Sequence, residues 1–580
     1  MEKGGGRDDA HLQVHALTKP QPEPVSQSLR PFVIMRSALL LQARRKSLLL
    51  PLFLLIVAVL IRVGLAIRPG LWVDEIFSLA IATGHSLEHP AAAADPRMGD
   101  YIEWPQAEPP SVWRRYTEPE VPPAGPSRII RAVLLSDTSP PLYYLLLAGW
   151  IRLTGTSDSA LRLLSTIAAV LCLPLIWRLG LAVSDRRSAL SACIVFAFAP
   201  AAVYYSAEGR MYALTWTLGL LLAATSLHFA RHGARAGSIL TWIAAGAAGL
   251  LTHYYFAFVW LACLAWLCLH PGKMKRWATM LAAATCLIVV LPWYLQIPTS
   301  MSRWRVTAGW LDGSLNTHQV LAGIVWLPWR LFGTQGSWGG FRAMELLTTA
   351  MLVGLVVVLL LRGVKPFFSP SGQILWLWLA ASVLGVIVFD LLQETHASLH
   401  WRYVLPGLPA AVLLLGLAIA ALPGRVHTGF LVVLCLAWST SLYHGFSRPR
   451  KPSEPFPLIA ADLQTHLDTT DLIIVNSNPS GVLGIARYMK REVPIASWVG
   501  ALGARRFPED LIQLLDGRCR VGLVTVHAEP GTWPPEVWMR KHGLPDGDTR
   551  YAFSKARILY YKLATPGRES SVGGCKSVTP

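Results

Sequence analysis

The sequence predicts a polytopic α-helical membrane protein of about eleven transmembrane helices, with interfacial helices in the first outer loop and a small C-terminal α/β domain outside the membrane. Three observations carry this. The chain is 53% hydrophobic and only 15% charged, against about 25% charged in soluble domains, and its mean hydropathy is +0.42. Apolar stretches long enough to cross a bilayer recur along it. Basic residues gather in alternate connections between them. The net charge of +18 would suggest nucleic acid on a soluble protein, but topology accounts for much of it, and no nucleic-acid partner is expected. Of the 8 Cys, only Cys519 and Cys575 lie outside apolar segments. That is no disulfide framework, and no spacing suggests a zinc site.

Residues 1–45 are polar and aperiodic and read as a disordered cytoplasmic tail. Arg44, Arg45 and Lys46 then precede the first apolar run, Ser47–Ile67. Its roughly 20 residues suffice for a bilayer core. The run starts too far into the chain for a signal peptide and has no small-residue cleavage site. Further spans are expected near 162–182, 189–206, 211–229, 237–253, 254–270, 277–295, 343–361, 371–391, 404–422 and 426–443. The stretch 237–270 as one helix would be about 51 Å long, against a hydrocarbon core of about 30 Å. It therefore splits into a hairpin turning at Thr252-His253-Tyr254-Tyr255.

The positive-inside rule supports the count. With the N-terminus inside, the inner connections carry Arg178, Arg186 and Arg187; Arg231 and Arg235; Lys273, Lys275 and Arg276; Arg362 and Lys365; and Arg425. The short outer connections carry only Arg210 and Arg402. The expected transmembrane domain is 46–445, with two long outer loops at 68–161 and 296–342. The first holds Asp74 and Glu75, a Pro-rich insert at about 89–126, and an apolar end of roughly a dozen residues before Arg152, read as an amphipathic helix in the interface. The second holds Arg303, Arg305 and a set of Trp, which an interfacial aromatic belt would also explain. Residues 446–565 read as an extracytoplasmic α/β domain. Its strand candidates are 471–477, Arg520–His527 and Arg557–Leu563, with a helix at Gly481–Lys490 and no Gly-rich phosphate loop. A flexible tail, 566–580, follows.

Ionisable residues at a membrane face are costly without partners and are functional candidates. Three outer loops supply them: Asp74 and Glu75; Tyr204–Tyr212 with Glu208 and Arg210; and His396, His400, Trp401, Arg402 and Tyr403. A carboxylate can accept the proton of an attacking hydroxyl, and arginine can hold phosphate through paired donors. Blander explanations stand beside these. The acidic pair could simply favour a helix N-terminus, Glu208 and Arg210 could form a loop salt bridge, and His253 could be a satisfied interfacial histidine.

At these residues the chain resembles a family. Leu71-Trp-Val-Asp74-Glu75-Ile-Phe-Ser-Leu, Asp137-Thr-Ser-Pro-Pro-Leu-Tyr-Tyr, Ala160-Leu-Arg-Leu-Leu-Ser, Tyr205-Ser-Ala-Glu-Gly-Arg-Met-Tyr212, Thr252-His-Tyr-Tyr and Arg402-Tyr-Val-Leu-Pro-Gly-Leu-Pro recur in one order. They are similar to motifs of the bacterial relatives of protein O-mannosyltransferases. That group includes lipid A aminoarabinose transferases and lipopolysaccharide-core galacturonosyltransferases of the GT-C superfamily. The resemblance covers about residues 48–422. It implies transfer of a hexosyl or pentosyl group from a polyprenyl-phosphate sugar to a lipid, glycan or protein acceptor on the outer face of the inner membrane. It also implies Asp74 and Glu75 as the catalytic centre. Ser139 departs from the His or Lys often found before Pro-Pro, and the 89–126 insert is unusual.

The expected catalytic residues are Asp74 and Glu75, with Glu208 in reserve. Arg210 and Arg402, or Arg303 and Arg305, are expected to bind the donor phosphate. Asp137, Tyr143, Tyr212, His253, Tyr254, His400 and Trp401 are the substrate-binding candidates. No particular cofactor is called for; a divalent metal is compatible with the sequence but not indicated by it. The rival readings are a non-catalytic transporter or flippase, against which stands the lack of an obvious inverted repeat, and an envelope-glycan assembly protein.

Overall fold

The structure, a computed structural model, describes residues 52–580 apart from 137–138, 234, 303–308, 310, 334–341, 363–364, 448–454, 529–530, 552–554 and 564–580. The tails at 1–45 and 566–580 therefore lie outside the described residues, as do Asp137, Arg303 and Arg305.

Among the described residues seven helices are long and apolar enough to cross a membrane: Asp158–Val183, Tyr212–His232, Arg276–Met301, Arg342–Leu361, Pro370–Gln393, Trp401–Ala420 and Gly424–Tyr443. An eighth forms if Arg186–Phe198 and Pro200–Ser206, bent by 60°, make one span. By length and composition the described residues thus hold seven or eight such helices. The other three expected positions hold shorter apolar helices, Leu52–Ala66, Ala236–Leu250 and Phe256–Leu269. At about 1.5 Å per residue they are near 22 Å long, which is why they miss a length test.

The bend at Pro200 has a local cause. Proline has no N–H and clashes with the preceding turn, so a helix cannot run straight through it. The carbonyls of Phe196 and Ala197 accept hydrogen bonds from buried Arg62 at 2.7 and 3.1 Å. An arginine inside an apolar helix is thereby accounted for. The hairpin at 252–255 turns where expected, with His253 Nδ1 accepting from the Tyr255 amide at 3.2 Å.

The first long loop contains helices Val73–Ala82, Pro126–Ser136 and Leu142–Thr154. The last is the expected apolar segment. The second long loop contains Thr317–Arg330, capped by Asn316, whose side chain accepts from the Gln319 amide at 2.8 Å.

At the C-terminus a mixed sheet has the order β2-β1-β3-β5-β4, with β1 Leu472–Asn476, β2 Ile495–Ser497, β3 Arg520–Thr525, β4 Leu544–Arg550 and β5 Arg557–Lys562. β1 pairs parallel to β2 and β3, and β5 pairs antiparallel to β3 and β4. β1, β3 and β5 match the sequence expectation. β2 has only three residues, and β4 (Leu-Pro-Asp-Gly-Asp-Thr-Arg) carries the Pro and Gly of a turn. Such residues are tolerated only at an edge, which is where β4 lies. Cys519, just before β3, is disulfide-bonded, an addition to the sequence reading.

The 89–126 insert packs on this sheet. Glu108 and Ile495 exchange backbone hydrogen bonds of 3.0 and 2.8 Å, covering part of the β2 edge. Arg114 donates to the Met489 carbonyl at 2.9 Å and to Glu492 at 2.6 Å, and Tyr101 donates to Ser497 at 2.8 Å. One apolar core joins Ile76, Tyr101, Trp113 and Tyr116 of the first loop to Ile459, Val482, Ile485 and Val524.

Candidate active site

Asp74 and Glu75 occupy the first turn of helix Val73–Ala82, as the macrodipole favours. Their fates differ. Glu75 is buried, and its carboxylate accepts four hydrogen bonds: from Arg162 Nε and Nη2, both at 2.7 Å, from the Gly209 amide at 2.8 Å and from the Trp72 amide at 3.2 Å. Two carboxylate oxygens offer about four acceptor sites, so Glu75 is saturated. Arg162 also donates to the carbonyls of Arg68 and Gly70, each at 2.6 Å. Glu75 therefore pins three chain segments together and has no lone pair to spare for a substrate. Gly209 is required by this approach, because a Cβ there would stand 2.7 Å from Leu161 Cγ.

The Asp74 side chain is 24% exposed, and Oδ2 meets Arg402 Nη1 at 3.3 Å. Arg210, buried, donates to the Tyr144 hydroxyl at 3.0 Å, to Ser78 Oγ at 3.1 Å and more weakly to the Asp74 carbonyl at 3.4 Å. The loops at 68–75, 207–211 and 394–403 thus converge, as the sequence reading required.

Glu208 is not the partner of a loop salt bridge. It is 4% exposed, and neither carboxyl oxygen has a hydrogen-bond partner among the described residues. Burial, then the charges of Glu75 and Asp74, push its carboxyl well above the ordinary range, with Arg210 and Arg402 opposing. Two carboxyls of the same site are therefore held in opposite conditions, one open beside a guanidinium and one buried without a donor.

The aromatic candidates divide. Tyr212 packs edge-on to Tyr205 at 4.9 Å and lies 5.9 Å from the His253 ring; Trp401 packs edge-on to Tyr205 at 5.3 Å. These flank the Asp74–Arg402 pair. His253 is buried and held neutral, its pKa pushed down to about 3 by burial and by Arg210 and Arg402; it can supply a hydrogen bond but no charge. His400 lies on the same loop as Arg402, its ring 5.8 Å from His396. Tyr254 turns away, edge-on to Tyr294 at 5.9 Å. Tyr143 is buried, with its hydroxyl 3.1 Å from Ser165 Oγ. Ser165 Oγ in turn donates to the Arg210 carbonyl at 2.8 Å.

Sequence reasoning missed Asp390 and gave Arg162 no role. Asp390, fully buried, accepts from Thr395 Oγ1 at 2.6 Å and from the Ala397 and Ser398 amides at 2.9 and 2.7 Å. It thereby shapes the loop that presents Arg402. A charge at the end of an apolar helix was the available signal for both. Among the described residues no three His, Cys, Asp or Glu side chains are grouped to hold a metal ion.

Fold and site together define a polytopic helical membrane protein whose loops gather acidic and basic side chains at one place. Residues 138–295 match the family model described as dolichyl-phosphate-mannose-protein mannosyltransferase, which agrees over that stretch with the resemblance to relatives of protein O-mannosyltransferases. In fold the chain is similar to the apo crystal structure of ArnT from Cupriavidus metallidurans, at a TM-score of 0.53 and 13% identity, covering 91% of this chain and 100% of that one. A looser similarity, at a TM-score of 0.42 and 13% identity, is to the apo oligosaccharyltransferase of Archaeoglobus fulgidus, covering 82% and 69%. No curated protein matches the chain in sequence.

Proposed function

We propose that the protein is a glycosyltransferase that moves a sugar from a polyprenyl-phosphate donor to a lipid, glycan or protein acceptor at the extracytoplasmic face of the cytoplasmic membrane. The observation that carries this is the meeting of Asp74 with Arg402 and Arg210 beside membrane-length helices. A lipid-phosphate sugar is already activated, so no nucleotide fold is needed, and its tail must enter from the bilayer.

The acceptor hydroxyl attacks the anomeric carbon. The bond from that carbon to the phosphate oxygen breaks, and polyprenyl phosphate leaves with the electron pair. Asp74 takes the hydroxyl proton. Direct displacement of this kind inverts the sugar and needs one carboxylate. Arg402 and Arg210 meet the phosphate, and a donor that engages Arg402 also releases Asp74 from its ion pair. Glu75 holds the base in place. Glu208 is the reserve base; its raised carboxyl favours the protonated form, which cannot accept a proton, so Asp74 is preferred. Tyr212, His253 and Trp401 line the sugar, with His400 near the acceptor.

The accompanying topology has eleven spans, with the three short apolar helices counted, a cytoplasmic N-terminus and the sheet outside. The alternating basic loops support it, and the disulfide at Cys519 suits an oxidising compartment. The direct test is consumption of lipid-linked sugar by purified protein in detergent, joined to mass spectrometry of envelope lipids and glycans with and without the gene. Loss of one sugar modification is expected. An unchanged envelope together with no consumption of any polyprenyl-phosphate sugar would overturn the reading.

A further inference from the structure

The backbone that leads into the acidic pair is held in part from the far end of the chain. Gly70, at φ +97°, turns the chain in the left-handed region that favours glycine. Its amide donates to Asp158 Oδ2 at 2.8 Å, and the next amide, Leu71, donates to the Tyr488 hydroxyl at 2.7 Å across 417 residues of sequence. Tyr488 in turn donates to Asp158 Oδ2 at 2.8 Å. Arg487 donates from Nε and Nη2 to Asp158 Oδ1 at 3.1 and 2.9 Å, and from Nη2 to the Thr156 carbonyl at 2.5 Å. On the other side of the same turn, Arg162, one helical turn beyond Asp158, donates to the Gly70 carbonyl and to Glu75.

Arg487 and Tyr488 stand at the end of helix Pro479–Tyr488, which packs on helix Val73–Ala82 through the shared apolar core. Leu71 is fully buried, so without the Tyr488 hydroxyl its amide has no water to turn to. An orphaned buried donor is costly, and the turn would shift to escape it.

We propose that Tyr488 and Asp158 are positioning residues through which the C-terminal sheet and its helices set the place of Asp74. The claim rests on the glycosyltransferase reading only in naming what Asp74 does; the coupling itself does not. The C-terminal segment is then part of the apparatus that positions the base.

The test uses the full chain in detergent and the variant Tyr488→Phe, which keeps the ring and removes the hydroxyl. Hydrogen–deuterium exchange is read over residues 68–76 and over the sheet. Exchange at 68–76 should rise at least about tenfold while β1 and β3 stay protected, and turnover of lipid-linked sugar should fall about tenfold with polyprenyl-phosphate Kd within about twofold. Should Tyr488→Phe fail to fold, Asp158→Asn is read in the same way. Unchanged exchange over 68–76 overturns the proposal. Raised exchange in a protein whose wild type turns over no lipid-linked sugar would uphold the coupling and remove the glycosyltransferase reading.

Discussion

Arg402 Nη1 stands 3.3 Å from Asp74 Oδ2 across 328 residues of sequence. Neither side chain is fully buried, at 23% and 24% exposed. The pair is therefore a closed circuit that a third charge can open. A phosphate competes with Asp74 for the guanidinium, and success leaves the carboxylate free to accept a proton. Arg402→Ala should weaken polyprenyl-phosphate binding by about 1.5–3 kcal/mol, or about 10- to 150-fold, as the loss of a hydrogen bond to a charged group does. Titration of polyprenyl phosphate into purified protein measures it. If Arg402→Ala and Arg210→Ala both bind normally, the phosphate is held elsewhere, with Arg303 and Arg305 the next candidates.

Glu75 and Arg162 make the opposite kind of pair. Both are buried and paired through two bonds, and the Glu75 carboxylate is saturated. Removing one partner of a buried pair and leaving the other charged typically costs about 3–5 kcal/mol. Arg162→Ala and Glu75→Ala should each lower the thermal midpoint sharply. Normal stability in both would mean that the four bonds to Glu75 are replaceable and that its role is not structural.

What was legible in the sequence follows from how local each signal is. The hairpin at 252–255 was set by a length argument, and β1, β3 and β5 by β-branched runs. The gathering of Asp74, Arg210 and Arg402 was readable because loops between an even number of spans share a face. Long-range hydrogen bonds leave no such trace. Nothing near Leu71 announces Tyr488, and nothing near Glu75 announces Arg162, 87 residues on. Nothing in the motif that contains Tyr143 announces its partner Ser165, 22 residues on. A motif tells which residues cluster but not which way each one points. The insert at 89–126 looked unusual because its reason, the β2 edge, lies almost 400 residues away.

Glu103 provides a pH test of the joint between insert and sheet. Its Oε1 accepts from Ser497 Oγ at 2.8 Å and the Val499 amide at 2.6 Å, while Oε2 is buried with no partner among the described residues. Burial raises its carboxyl from the ordinary 4.5 to about 7, against the pull of those bonds and Arg505. A raised carboxyl favours the folded state when protonated, so stability is lost as pH rises from about 4.5 through about 7. The loss is of the order of 3 kcal/mol. Glu103→Gln should match the wild type near pH 4.5 and exceed it in thermal midpoint at pH 8. A constant difference between the two across that range would show that Glu103 does not titrate there.

The orientation of the sheet is checked by labelling. Lys490→Cys and Arg506→Cys place thiols at exposed positions of the C-terminal segment. An impermeant maleimide should label both in intact cells. Labelling only after the membrane is permeabilised would reverse the topology and move the acidic pair with it.

The sharpest test separates Asp74 from Glu208. Asp74 is partly exposed beside a guanidinium, and Glu208 is buried with no hydrogen-bond donor among the described residues. Asp74→Asn keeps the shape and the hydrogen-bond acceptor but cannot take a proton, so turnover should fall by about 10²–10⁴-fold. Polyprenyl-phosphate affinity should hold or rise, because Arg402 loses its competing anion. Glu208→Gln replaces a carboxyl already biased to its neutral form, so the change should be smaller in rate. It should also stabilise the protein as pH rises above the ordinary carboxylate range, where the wild type is pressed to ionise a buried group. The reverse pattern, normal turnover in Asp74→Asn and none in Glu208→Gln, would transfer the base to Glu208. It would also mean that the ion pair with Arg402 is a lock on the loop rather than a switch opened by the donor.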